Sequence, residues 1–155
     1  MSGMFQVEVT RGEQSCPIKW KAFLAHKRNK TQLLELLLQI WQTPQYAPLL
    51  KNKLFFVASG NNCFRLSSAD GVVVTCLTVP ELRSNQEEAD TRLLLHAHHA
   101  ATHRASAIVV RSLDTDVAVL CCHFQRSIPK PMYFKTGTRQ RTRYVDISAV
   151  SAKLP

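Results

Sequence analysis

The segment from Gln86 to Phe124 constrains the fold more than any other part of the chain. Apolar residues recur at helical spacing from Gln86 to about His103, which predicts a helix with one apolar face. The run Ala107 to Val110 follows without polar alternation, which is typical of a strand covered on both faces in a parallel sheet. A second apolar run, Val117 to Phe124, favours a helix over a strand. This order predicts an α/β domain whose central strand is Ala107 to Arg111.

The rest of the chain predicts further helices and antiparallel strands. The predicted helices run from Pro17 to about Lys27 and from a cap at Asn29 or Thr31 to Pro44, the second one apolar almost all round and therefore buried. The predicted strands are Met4 to Thr10, Leu54 to Ser59, Cys63 to Leu66, Val72 to Thr75, Tyr133-Phe134 and Arg143 to Ile147. We therefore expect one domain, residues 1–155, with a mostly parallel central sheet flanked by helices and a C-terminal β-hairpin around Gly137 to Gln140.

Several classes of protein have no support in the sequence. No stretch reaches the roughly 18 apolar residues that a membrane span needs, and Met1 to Gln14 has no apolar signal core. The five cysteines form no CxxC pair. Phosphate-loop, dinucleotide-binding, zinc-protease and serine-hydrolase motifs are all missing. We expect a nuclear or cytoplasmic protein that is neither secreted nor held in a membrane.

The charge balance points to a polyanionic partner. Lys and Arg number 20 against 11 acids, a formal net charge of +9, which attracts DNA or RNA. Near the C-terminus, basic residues alternate on a predicted strand or lie close to it, and they are Lys130, Lys135, Arg139, Arg141 and Arg143. We expect these side chains to contact phosphates; the alternative is a solvated hairpin.

The acids are concentrated in two short clusters. Five of the 11 are Glu87, Glu88 and Asp90 at the start of one predicted helix, and Asp114 and Asp116 after the apolar strand. Like charges packed together destabilise a fold unless a cation offsets them, and several carboxylates are what Mg²⁺ or Mn²⁺ prefers. The alternatives are acids that favour a helix N-terminus and a D-x-D that forms a turn or a helix cap.

These residues resemble a known family. Glu88-Ala89-Asp90, a helix, and a strand followed by Asp114-Thr115-Asp116-Val117 are similar to the internal region of the flap endonucleases, within the wider PIN-like nuclease fold. Over residues 84–124 the chain resembles more closely a set of transposon-associated animal proteins with E-E-A-D-T-R and D-T-D-V motifs. The resemblance implies a PIN-like phosphodiesterase that depends on Mg²⁺ or Mn²⁺. Glu88, Asp90, Asp114 and Asp116 then take the positions of catalytic metal ligands, with Glu87 as a further candidate.

The chain also departs from that family. A PIN-like fold begins with a strand bearing an Asp, whereas the segment before Trp20 offers only Glu8 and Glu13. We therefore expect an internal piece of a longer protein. Two other functions stay open: a catalytically inactive remnant that only binds nucleic acid, and a D-x-D glycosyltransferase that binds a sugar nucleotide through Mn²⁺. The net charge argues against the second of these.

Two further patterns admit a metal interpretation. The helix beginning near Gln86 carries His96, His98, His99 and His103, three of which share one face and suit Zn²⁺ or Ni²⁺. We favour polar decoration of an exposed helix face. For Cys121-Cys122-His123 we favour buried apolar thiols, because adjacent side chains diverge.

Overall fold

The computed structural model describes residues 8–9, 14–85, 89–138 and 140–153, and no helix within these ranges is long and apolar enough to cross a membrane. The chain is a mixture of helices and two small sheets of three strands each. It divides into two compact units, Met1–Asn85 and Gln86–Pro155. The mixed α/β class is confirmed. The single domain expected from the sequence stays a prediction.

The first unit joins a helical part to an antiparallel meander. Its elements are α1 (Trp20–Ala25), α2 (Lys27–Trp41), a 3-10 turn (Pro44–Tyr46), α3 (Ala47–Leu50), β1 (Phe55–Ser59), β2 (Asn62–Ser67), β3 (Thr75–Thr78) and a second 3-10 turn (Pro80–Leu82). The sheet order is β1-β2-β3, with Ser59 opposite Asn62 across the tight turn. Leu38 of α2 packs with Leu50, Val57 and Leu66 in the core of this unit.

The meander confirms the strands predicted on either side of Gly60, but its third strand lies later than expected. The β-branched run that starts at Val72 does not begin as a strand. Asp70 Oδ1 accepts hydrogen bonds from the N–H groups of Val72 and Val73 at 2.7 and 3.1 Å. These bonds hold the pKa of the Asp70 carboxyl below its usual value. They keep the segment in a turn, so that β3 begins only at Thr75.

Helix α2 also differs from its prediction. It begins at Lys27, and Asn29 is buried within it rather than capping it. The Asn29 amide donates to the Phe23 carbonyl at 3.1 Å and so joins the two helices. Leu38 is buried, but most apolar residues of α2 are only partly so. The strand predicted for Met4 to Thr10 falls largely outside the described residues.

The second unit has a helix, strand, helix, strand, strand, helix order. Its elements are α4 (Ala89–Thr102), β4 (Ile108–Arg111), α5 (Thr115–Phe124), a 3-10 turn (Gln125–Ser127), β5 (Met132–Thr136), β6 (Arg143–Asp146) and α6 (Ile147–Ser151). β4 and β5 are parallel, and β5 and β6 are antiparallel. The predicted helix over Val117 to Phe124 and the C-terminal hairpin are thus confirmed.

Strand β4 is not the central strand that its composition predicts. The sheet order is β4-β5-β6, which places β4 at an edge and β5 in the middle. Ile108 and Val110 are buried, as expected, but Val109 is 55% exposed. One face of β4 packs on the core and the other does not. The prediction that both faces of this apolar strand are covered is therefore wrong. The described sheets contain one parallel pair, not a mostly parallel sheet.

Candidate functional site

Asp114 and Asp116 lie just beyond the carboxyl end of β4. The parallel pairing continues as far as Ser112, whose N–H donates to the Lys135 carbonyl at 3.2 Å. Asp114 Oδ1 then accepts from the Asp116 N–H at 3.0 Å, and the Asp114 N–H donates to Ser112 Oγ at 3.0 Å. Asp114 is therefore the N-cap of α5. Both carboxylates are exposed to solvent.

The first acidic cluster is described only in part. Asp90 lies in the first turn of α4 and is half-buried. Glu87 and Glu88 lie outside the described residues, so the structure does not test their position. An acid in the first turn of a helix is favoured by the partial positive charge there.

Chain connectivity brings the start of α4 and the end of β4 to the same side of the second unit. Only residues 103–107 separate α4 from β4, and the two elements pack side by side. A cleft of about 400 Å³ between them is lined by Leu93, near the start of α4, and by Val110 and Arg111, at the end of β4. Leu93 of α4 therefore lies near the end of β4, after which α5 begins; we call the first turn of α4, the end of β4 and the start of α5 the carboxylate edge.

The donor chemistry of this edge suits a hard cation, but the described acids do not close a site. Carboxylate oxygens are the preferred ligands of Mg²⁺ and Mn²⁺. Within residues 8–9, 14–85, 89–138 and 140–153, no three His, Cys, Asp or Glu side chains are grouped so as to hold a metal ion. Asp90, Asp114 and Asp116 thus fit the cation in chemistry, but these three side chains are not brought together as one ligand group.

Of the basic residues that alternate in the hairpin sequence, Arg143 lies on a strand and Arg141 does not. Arg143 is exposed on β6, opposite Thr136, whereas Arg141 precedes that strand. Arg139 lies outside the described residues. The Arg141 N–H donates to the Thr138 carbonyl at 3.0 Å, which closes a turn before the strand begins. Arg141 therefore lies in the turn before β6, although its place in the alternating arginines of the sequence suggests a strand.

A glycine makes this turn possible. Gly137 has φ +93°, and a Cβ added there would collide with the Arg141 carbonyl oxygen. Next to the turn, Lys135 is half-buried and its Nζ lies 5.2 Å from the centre of the Tyr144 ring. This cation–π contact holds the Lys135 charge on the sheet. Lys130 lies at the other end of β5 and is half-buried.

The histidines of α4 have different environments. His98 is exposed, and the rings of His99 and His103 are in contact, with centroids 4.1 Å apart. His96 is half-buried, and its Nε2 has no hydrogen-bond partner among the described residues; burial together with the nearby Arg92 lowers its pKa. The exposed positions of His98 and His103 agree with polar decoration of the helix face, whereas His96 and His99 are half-buried. The i, i+4 spacing of His99 and His103 was the signal for their contact.

The Cys121 thiol of α5 is not a candidate for nucleophilic chemistry. Cys121 is fully buried, and its burial, with a contribution from Cys122, raises the pKa to about 11. A thiol that stays protonated is neither a nucleophile nor a metal ligand. The expectation of a buried apolar thiol is confirmed for Cys121.

Comparison of the chain with models of protein families, with curated proteins and with solved structures finds no match.

Proposed function

We propose that the unit Gln86–Pro155 is the PIN-like core of a nucleic-acid phosphodiesterase that uses Mg²⁺ or Mn²⁺. The observation that carries the proposal is the carboxylate edge. Asp114 and Asp116 follow the carboxyl end of a parallel strand pair, and Leu93, three residues after Asp90, lines a cleft together with the end of β4. Ligands bind preferentially at this position in α/β sheets.

Each acid has a distinct part in the proposed site. The capping hydrogen bond of Asp114 uses Oδ1, so Oδ2 is its proposed metal ligand. Asp116 and Asp90 supply carboxylates from the first turns of α5 and α4. Glu88 is the proposed fourth ligand. A metal bound here would activate water and stabilise the leaving oxygen of a phosphodiester.

The proposed partner is DNA or RNA, in the nucleus or cytoplasm. The net charge of +9 favours a polyanion over a neutral substrate. Arg141 and Arg143 are exposed near the hairpin turn, and with Lys130, Lys135 and Arg139 they form the proposed phosphate-binding group.

A second candidate function is nucleic-acid binding without cleavage. Two observations favour it: Asp114 serves as a helix cap, and the described residues contain no group of three metal-ligating side chains. In that case the acids serve local structure, and the basic charge alone supports binding.

Cleavage assays separate the two candidates. Single-stranded and duplex DNA and RNA, labelled at one end, are incubated with the protein in Mn²⁺, in Mg²⁺ or in EDTA. The phosphodiesterase cleaves in Mn²⁺ or Mg²⁺ and not in EDTA, and Asp116→Asn abolishes cleavage. Asp146→Asn is the control, because Asp146 is an exposed aspartate like Asp116 but lies at the start of α6, outside the carboxylate edge. Binding without metal-dependent cleavage supports the second candidate instead.

Salt dependence tests the phosphate contacts. If Arg141 and Arg143 each contact a phosphate, replacing either with Ala lowers the slope of log K against log salt by about 0.7–0.9. Arg104→Ala is the control, since Arg104 is exposed but follows α4. Equal slopes in all three variants contradict a role for the hairpin arginines.

A further inference from the structure

The end of α4 opposite to Asp90 holds a pair of histidine rings in contact. His99 and His103 have ring centroids 4.1 Å apart and ring planes inclined at 32°. His103 Nδ1 also lies 2.7 Å from the His99 carbonyl oxygen. His99 is half-buried and His103 is exposed, so the pair lies at the surface of the second unit.

The hydrogen bond fixes the tautomer of neutral His103. A carbonyl oxygen can only accept, so Nδ1 must carry the hydrogen and donate to it. Nε2 then bears the lone pair. Histidines that bind metals show this same arrangement, in which one ring nitrogen donates to a carbonyl and the other coordinates the ion.

The distance between the rings is close to that of two imidazoles on one ion. With Zn–N at about 2.1 Å and a tetrahedral angle, the two ring centres lie about 5 Å apart. The observed 4.1 Å differs from this by about 1 Å, which a rotation of surface side chains accommodates. Residues four apart on a helix face the same side, as this geometry requires.

We propose that His99 and His103 form a two-histidine site for Zn²⁺. Imidazole nitrogen prefers borderline transition ions such as Zn²⁺, and Mg²⁺ prefers oxygen. The partial negative charge at the C-terminus of α4 favours a cation there. Because the described residues contain no group of three metal-ligating side chains, the site keeps open positions for water or for a ligand from another molecule. A closed structural zinc site has four protein ligands.

This site is separate from the carboxylate edge and does not depend on the proposed phosphodiesterase. Asp90 and His99 are nine positions apart on α4, which is about 14 Å along a helix axis. One ion therefore cannot bind both. The two sites also differ in the metal ion that they prefer, since carboxylates suit Mg²⁺ and imidazoles suit Zn²⁺.

Calorimetric titration of the full chain with ZnCl₂, in a reducing buffer without chelator, tests the proposal. We compare the wild type with His99→Ala and His103→Ala, and with His98→Ala as the matched control. His98 is exposed on the same helix, and its spacing of one and five residues from the pair places it on a different side of a helix with 3.6 residues per turn. We expect one binding event to be lost, or weakened about tenfold or more, in the first two variants and kept in the control. Zinc held by cysteines contributes equally to all four titrations.

The result that overturns the proposal is an unchanged zinc titration in His99→Ala and His103→Ala, or an equal loss in His98→Ala. Ring ¹⁵N resonances of the wild type give a second readout that needs no variant. Zn²⁺ shifts the signals of His99 and His103 and leaves that of His98 in place; a shift of all three overturns the proposal. Asp114→Asn leaves the zinc titration unchanged, so that failure of either site is distinguishable from failure of the other.

Discussion

Replacing Asp114 distinguishes its role as a helix cap from its proposed role as a metal ligand. In the metal-free protein the side chain accepts one hydrogen bond, from the Asp116 N–H at 3.0 Å. Asp114→Ala removes that bond and leaves the backbone N–H to water, which costs about 1 kcal/mol of unfolding free energy. Asp114→Asn keeps an accepting oxygen, and Asn caps helices as well as Asp does, so we expect a change of only a few tenths of a kcal/mol.

Thermal melts measure both effects. For a unit of 60–100 residues, about 1 kcal/mol corresponds to a change in Tm of about 4–8 °C. In Mn²⁺ at about 100 times its Kd, the wild type gains about 2.7 kcal/mol if the edge binds the ion. Asp114→Asn should gain much less, because the ligand charge is lost while the cap remains.

Asp146 is the control for these melts, because it caps α6 by the same bond and belongs to neither proposed metal site. Asp146→Asn should keep the full Mn²⁺ stabilisation of the wild type. If Asp114→Asn destabilises the metal-free protein as much as Asp114→Ala does, the capping argument is refuted. If Mn²⁺ stabilises Asp114→Asn as much as the wild type, the argument for Asp114 as a ligand is refuted.

Three further predictions follow from single residues. Gly137→Ala should destabilise the protein by about 1–3 kcal/mol in urea unfolding, since the new Cβ meets the Arg141 carbonyl; an unchanged midpoint would count against the turn geometry. Cys121, with burial raising its pKa to about 11, should react with iodoacetamide at pH 8 far more slowly than the exposed Cys16; equal rates in a peptide map contradict this. His96 has a lowered pKa in the folded state, so the unfolded chain takes up the proton first and stability falls as the pH drops below about 6.5. In EDTA, His96→Gln should lose less stability between pH 7.5 and 5.5 than the wild type, and parallel curves would refute the burial argument.

The sequence correctly predicted the turns, helices and hairpins whose formation depends on residues close together in the chain. The Gly60-Asn61 turn, the helix over Val117 to Phe124 and the C-terminal hairpin all follow from turn residues and apolar spacing. The possibility that Asp114 caps a helix also follows from its position before an apolar run, because the bond joins residues only two apart. Such features depend on neighbours in the chain and not on the assembled fold.

The errors arise where contacts distant in sequence, or competing side-chain bonds, decide the outcome. The composition of β4 could not show that only one of its faces packs on the core, and Val109 is exposed on the other face. Asn29 suits a helix cap in isolation, but the Phe23 carbonyl six residues earlier takes its amide hydrogen bond. Asp70 likewise stops a strand that β-branched residues favour. The contact of His99 with His103 was compatible with the helix spacing, yet only the side-chain rotamers bring the two rings together.

The most direct test of the proposed metal centre is paramagnetic line broadening of the ¹⁵N-labelled full chain by substoichiometric Mn²⁺. The carboxylate edge predicts that the amide signals of Asp90, Asp114 and Asp116 broaden first and that those near His99 and His103 persist. Excess Mg²⁺ should restore the lost signals by competing for the same carboxylates. Uniform broadening across the chain, or broadening confined to residues away from Asp90 and the start of α5, would contradict a divalent-metal site at this edge.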